Sequence, residues 1–241
     1  MLDANQLLAI SALVFVVTTL AFLVWSRSLS PESRRYGYVV TIAAGAMAVS
    51  YVVMTAIEFT NSGTTDLVRF LGYTGLWLPI IYVIAAVAGV GTRLTGVLYA
   101  IVLGRVWITY VAGFLDGVLA TVGSLTPIAL LFAGIYVLFG PYTHVVNTQS
   151  PQRRLLFNKL KYLVVLAWIG LVVNGLISGM GLVDDFVGQI SLIYVEGILV
   201  IGFGGIVLRS PDALEDTAEA GAAGDDGSLE RVEAGDSQPA D

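Results

Sequence analysis

One acid lies where an acid is costly. Residues 185–210 form an apolar stretch long enough to cross a bilayer, which takes about 20 residues at 1.5 Å each. Glu196 sits inside it, in the run Tyr194-Val195-Glu196-Gly197-Ile198-Leu199-Val200-Ile201-Gly202-Phe203-Gly204. A carboxylate at that depth costs roughly 2.5–3.5 kcal/mol on insertion scales and by default marks a site. Two more charges fall within apolar stretches. Arg69, in the outer turn of the third, either snorkels to the interface or forms a buried ion pair with Glu196. Arg105, near the middle of the fourth, has Trp107 and Tyr110 close by and must face a partner, a water cavity or another protein.

Composition sets what these residues can belong to. Of 241 residues, 56% are apolar and 12% charged, the balance of an integral membrane protein. There is no cysteine, so thiol catalysis and thiolate metal sites are excluded, and a single histidine, His144, excludes a histidine-rich metal centre. No enzyme activity and no nucleic-acid partner are expected. The formal net charge of −6 is unevenly spread. Residues 1–210 carry more bases than acids, whereas residues 211–241 hold a run of acids with Arg231 as their only base and no aromatic residue. That composition predicts a disordered acidic tail, of a kind that suits a high-salt organism, following a transmembrane domain over 1–210.

Seven apolar segments precede the tail. They are expected over about 5–25, 38–59, 67–90, from the turn at 91–93 to about 114, 118–138, 155–177 and 185–210. Short loops join them; the longest is a polar loop over 141–154. Arg27, Arg34, Arg35, Arg93, Arg153, Arg154, Lys159, Lys161 and Arg209 gather at one set of ends, and Asp3, Glu58, Asp66, Asp116, Asp184 and Asp185 at the other. The positive-inside bias then places the amino terminus outside and the carboxyl terminus in the cytoplasm. The prediction is an all-α membrane protein, a multi-pass seven-helix bundle in the cell membrane with antiparallel sequential neighbours.

Several runs carry a resemblance. Thr19-Leu20-Ala21-Phe22, Arg34-Arg35-Tyr36, Ala48-Val49-Ser50-Tyr51-Val52-Val53-Met54, Tyr136-Val137-Leu138-Phe139-Gly140, Ile201-Gly202-Phe203-Gly204 and Leu208-Arg209-Ser210 are similar to the microbial (type 1) rhodopsins, most of all their haloarchaeal sensory rhodopsin and bacteriorhodopsin branch. The likeness covers nearly all of residues 10–210. It implies that Tyr51 hydrogen-bonds the seventh-helix acid Glu196, that Trp168 stands where the family packs a tryptophan against retinal, that Gly113 keeps a small residue beside the retinal ring, and that Tyr194 occupies the position presented to a transducer.

The chain departs from the family where the photochemistry resides. The retinal-binding lysine position is Val200. The third helix reads Arg69-Phe70-Leu71-Gly72-Tyr73, so the acceptor aspartate position is Gly72, or Tyr73 in a register one residue off. Leu171, Val172, Gly175 and Ser124 stand where the family's pocket usually has larger or aromatic residues, and Leu199 takes the place of a signalling threonine. The only two lysines, Lys159 and Lys161, lie at the start of the sixth helix. A retinal Schiff base needs a lysine amine, and arginine cannot substitute for it.

Three readings follow. The first is a lysine-less opsin with a regulatory or interaction role, taking as partners the lipid bilayer, a transducer-like or other membrane protein, or a second copy of itself. The second is a receptor holding retinal or a carotenoid-derived ligand noncovalently near Trp168, Tyr73 and Glu196. The third is a proton or ion path through Glu196, Arg69 and Tyr51.

Overall fold

The computed structural model describes residues 4–60 and 62–222. Seven helices are long and apolar enough to cross a membrane. They are α1 (Ala4–Ser26), α2 (Pro31–Thr60), α3 (Asp66–Ala88), α4 (Thr92–Ala112), α5 (Gly117–Val137), α6 (Pro151–Gly179) and α7 (Asp185–Leu208). Residues 211–222 form a further helix, α8. The chain is a multi-pass membrane protein with an all-α fold.

Each helix packs on the next, and α7 closes the ring against α1 and α2, while α3 reaches across the centre to α6. The helices are apolar all round, as lipid on one side and protein on the other require. Leu13, Val24, Phe132 and Tyr136 face outward, and Phe15, Met47, Tyr51, Ile80, Trp168 and Phe203 fill the centre.

The third turn shows how local chemistry ends a helix. Gly89 takes φ 71°, a left-handed conformation that suits glycine, and its N–H returns to Ala85 and Ala86. Arg153 of α6 then donates from Nε to Val87 O at 3.0 Å and from Nη2 to Ala86 O at 2.9 Å, so the last carbonyls of α3 are met by a buried guanidinium.

Three expected boundaries are corrected. The second helix begins at Pro31 rather than near 38, because proline at the first helical position loses only an N–H that would have no partner there. Arg34 and Arg35 therefore lie on the helix and not in a loop, and Arg35 donates to the Tyr36 hydroxyl at 3.0 Å. The polar loop over 141–154 shrinks to 147–150. Pro141 does not stop α5: a π-helical turn, Leu138–Tyr142, carries the chain through it into Thr143–Val146. The wider turn makes room for the proline ring, and the Thr143 hydroxyl donates to the Leu138 carbonyl at 2.8 Å.

The third correction concerns the tail. Its first residues, 211–222, are helical instead of disordered, and Ala213, Leu214, Thr217 and Ala218 are buried. The Ser150 hydroxyl lies 2.5 Å from Asp216 Oδ2 and donates to it. Composition averages over charge and misses this stripe. Its period of four puts two pairs of small or apolar residues on one face. The rest of the tail, 223–241, lies outside the described residues.

Candidate functional site

The centre of the bundle holds a carboxylate gripped by two phenols. Tyr51 of α2 donates to one oxygen of Glu196 and Tyr73 of α3 donates to the other. Three helices are thereby tied at one buried point, with Glu196 only 2% exposed. The two hydroxyls supply donors that a carboxylate needs out of water. Phe15 of α1 packs on the Tyr51 ring at 5.0 Å between centroids, which fixes that tyrosine from its far side.

Arg69 does not close onto this group. Among the described residues its guanidinium makes neither an ion pair nor a hydrogen bond, and its Nε is buried without a partner. The expected ion pair with Glu196 is not made by direct contact, although the two charges act on each other across the gap.

Trp168 is buried, but it is covered. Trp77 of α3 lies against it with ring centroids 5.6 Å apart. Gly134 of α5 admits its other edge; a Cβ built there would stand 2.9 Å from the Trp168 ring. Gly72, one of the two positions that the resemblance allows for the acceptor acid, has little room around it. A Cβ on Gly72 would lie 2.5 Å from the Ser50 hydroxyl of α2, which itself donates to Val68 O at 2.9 Å. A larger side chain at Gly72 requires Ser50 to move. Val200 is 1% exposed, within the core of α7.

Lys159 is exposed on the first turns of α6. Lys161 donates to the Thr143 hydroxyl at 3.1 Å and sits 4.4 Å from the Phe139 ring centroid. Both are on a different helix from Val200. The side chains present therefore do not fit a covalently held retinal.

Between α3, α4, α6 and α7 lies a cleft of about 290 Å³, with Arg69, Tyr73 and Trp77 on one wall and Arg105 on the other. A neighbouring cleft of about 360 Å³ shares Arg105, Thr109, Leu171 and Gly175 with it and runs on to α5. Gly113, at the end of α4, lines this second cleft and stands apart from the Glu196 group. Tyr194 is 69% exposed on the outside of α7, away from both.

Trp77, Ser50 and Thr109 were not singled out from the sequence as site residues. A periodic signal for two of them was there. Arg69, Tyr73 and Trp77 recur every four residues along α3, and Arg105 and Thr109 are four apart on α4, spacings that put residues on one helix face. Ser50 gave no signal, because only packing shows that it fills the place of Gly72.

The seven-helix fold is similar to that of solved rhodopsins. The thermophilic rhodopsin from Rubrobacter xylanophilus superposes with a TM-score of 0.81 at 20% identity, over 89% of this chain and 99% of that one. The light-driven proton pump from Coccomyxa subellipsoidea does so with a TM-score of 0.76 at 16% identity, over 87% of this chain and 98% of that one. No protein-family model matches the chain. In sequence it is 26% identical over 223 residues to sensory rhodopsin-2 of Natronomonas pharaonis, covering 89% of this chain and 92% of that protein. The chain is thus a rhodopsin-like membrane protein.

Proposed function

We propose that this protein is an opsin that works without a covalent chromophore, as a regulatory or interaction partner of other membrane proteins. The observation that carries the reading is Val200, buried in α7, which the sequence resemblance puts at the family's lysine position. The Trp77–Trp168 contact and the close Ser50 hydroxyl at Gly72 support it, since each narrows the space beside a position that the resemblance assigns to the chromophore or its counterion. With no amine there, the chain supplies no nucleophile for an imine and no carbon–nitrogen double bond whose proton light could move. It is then not a light-driven pump.

The likeness to a sensory rhodopsin supports the interaction half, together with Tyr194, a large aromatic held outward on α7. Aromatics of this kind anchor helix–helix contacts. The test is photocrosslinking from position 194 in the native membrane, with a second probe at the lipid-facing Leu13 as control. One membrane protein captured reproducibly at 194 and not at 13 is expected. Recovery of lipid adducts alone at both positions would reject the interaction role, and a borohydride-reducible retinal adduct on the isolated protein would reject the chromophore-free reading.

A further inference from the structure

We infer that the paired clefts between α3, α4, α5 and α6 form a binding site for an anionic amphiphile: a single negatively charged head on an apolar chain. The inference rests on the reading that no covalent chromophore occupies the bundle, but not on any interaction role.

Two guanidiniums define the head site. Arg105 projects from α4 seven residues before its carboxyl end at Ala112, a depth of about 10 Å at the helical rise. Its nearest aromatic contact is Trp168, 6.0 Å from carbon to ring centroid. Its Nε is buried without a partner, and among the described residues its guanidinium makes no hydrogen bond or ion pair. Arg69, on the facing wall of the same cleft, also has a buried Nε without a partner, but its charge is acted on by Glu196 and Asp66 without direct contact, whereas no acid acts on Arg105. An arginine at membrane depth is costly unless something meets its charge and its donors. Glu196, bonded to Tyr51 and Tyr73, acts on Arg69 without touching it and does not act on Arg105. Asp66 also lines this cleft, but it is exposed at the first turn of α3 and forms no ion pair with either arginine. An anion seated between the two would satisfy both, with charge-assisted hydrogen bonds from planar forks that match a carboxylate or phosphate.

The neighbouring cleft supplies the tail site. It continues from Arg105 and Thr109 past Gly175 to Gly123, Pro127 and Ile128, a lining that is mostly apolar. Gly175 meets nothing within 4 Å of an added Cβ, so its face of the cleft is open. A charged head with no chain would leave this apolar groove unfilled by the ligand. A chain with no charge would leave the arginines unmet. Only an amphiphile serves both.

The head can be the carboxylate of a free fatty acid or the phosphate of a lipid, and the experiment separates them. The full-length protein is placed in nanodiscs of zwitterionic lipid, and its tryptophan emission is followed while oleate, oleyl alcohol or acetate is added, with empty nanodiscs as blank. A second series builds the discs with increasing phosphatidylglycerol and no oleate. A saturable response to oleate or to phosphatidylglycerol is expected, at least 10-fold weaker for oleyl alcohol where oleate is the ligand, and absent for acetate. Arg105→Gln should weaken it by about 10–100-fold, the scale of one charge-assisted hydrogen bond. Gly175→Leu keeps both charges and fills open space, so it tests the site even where the arginine variant does not fold, and it should abolish the response. Equal affinity for oleate and oleyl alcohol, an undiminished response in folded Arg105→Gln or Gly175→Leu, or no response to either anion would overturn the inference. Adding retinal reads the chromophore question separately, through a visible band.

Discussion

Trp77 of α3 leans on Trp168 of α6, the two rings tilted at 45° with centroids 5.6 Å apart. Whether an amine is present and whether there is room for a chromophore beside Trp168 are separate questions. The substitution Val200→Lys distinguishes them. It restores an amine one turn from Glu196, since residues four apart share a helix face. It does not move Trp77 or Ser50. Purified Val200→Lys protein mixed with all-trans retinal is expected to stay colourless. A hydroxylamine-sensitive visible band in this single variant would show that the tryptophan pair parts readily.

Glu196 holds three helices together only while both phenols donate to it. Tyr51→Phe or Tyr73→Phe leaves one buried carboxyl oxygen without a donor, and each should destabilise the protein by about 1–3 kcal/mol. The effects should not add. In a cycle of Tyr73→Phe with Glu196→Gln, the double variant is expected to lose less than the sum of the singles, because the two side chains share one interaction. Thermal unfolding in detergent reads this directly. Strict additivity would mean that the contact contributes nothing.

The architecture was legible because spanning a bilayer imposes so few choices. Length and apolarity alone placed seven segments, and the helices found are those seven. Boundaries were harder where proline acts by position. Pro31 opens a helix and Pro141 is passed by a π turn, and neither outcome is visible in the residue type. The likeness of Tyr51 to a family tyrosine pointed to its bond with Glu196, whereas Tyr73 was placed near Glu196 without a stated bond and is the second donor. The Arg69–Glu196 pairing was argued from opposite charge at a shared depth; the two do act on each other, but side-chain direction, which the letters do not give, keeps them from touching. The helix at 211–222 was hidden by its acids, although its buried stripe of Ala213, Leu214, Thr217 and Ala218 was present in the letters.

The Gly-Phe-Gly run of α7 makes a packing claim that two substitutions can test. A Cβ on Gly204 would fall within the Phe22 ring of α1, while one on Gly205 meets nothing within 4 Å. Gly204→Ala should destabilise by about 1–3 kcal/mol, the usual cost of overpacking a filled core. Gly205→Ala should be neutral or stabilising by up to about 1 kcal/mol, since alanine favours a helix over glycine. Thermal melts of the two variants in the same detergent give the comparison. Equal effects would show that α1 yields without cost and that Gly204 is not there for close approach.

Leu214 decides whether α8 belongs to the bundle or merely lies beside it. The side chain is fully buried, and Ser150 reaches over to Asp216 from the start of α6. The hydrogen bond alone is partly exposed and should contribute little, about 1 kcal/mol. Burial of the leucine should contribute more, because truncating a buried leucine to alanine typically costs about 2–5 kcal/mol. Hydrogen exchange over residues 211–222 separates the two. Asp216→Asn should leave the amides protected, with exchange faster by no more than about 10-fold, which corresponds to 1.4 kcal/mol. Leu214→Ala should raise exchange across the whole helix by 30-fold or more while α1–α7 keep their protection. If both variants exchange like the wild type, α8 is held by something other than this stripe.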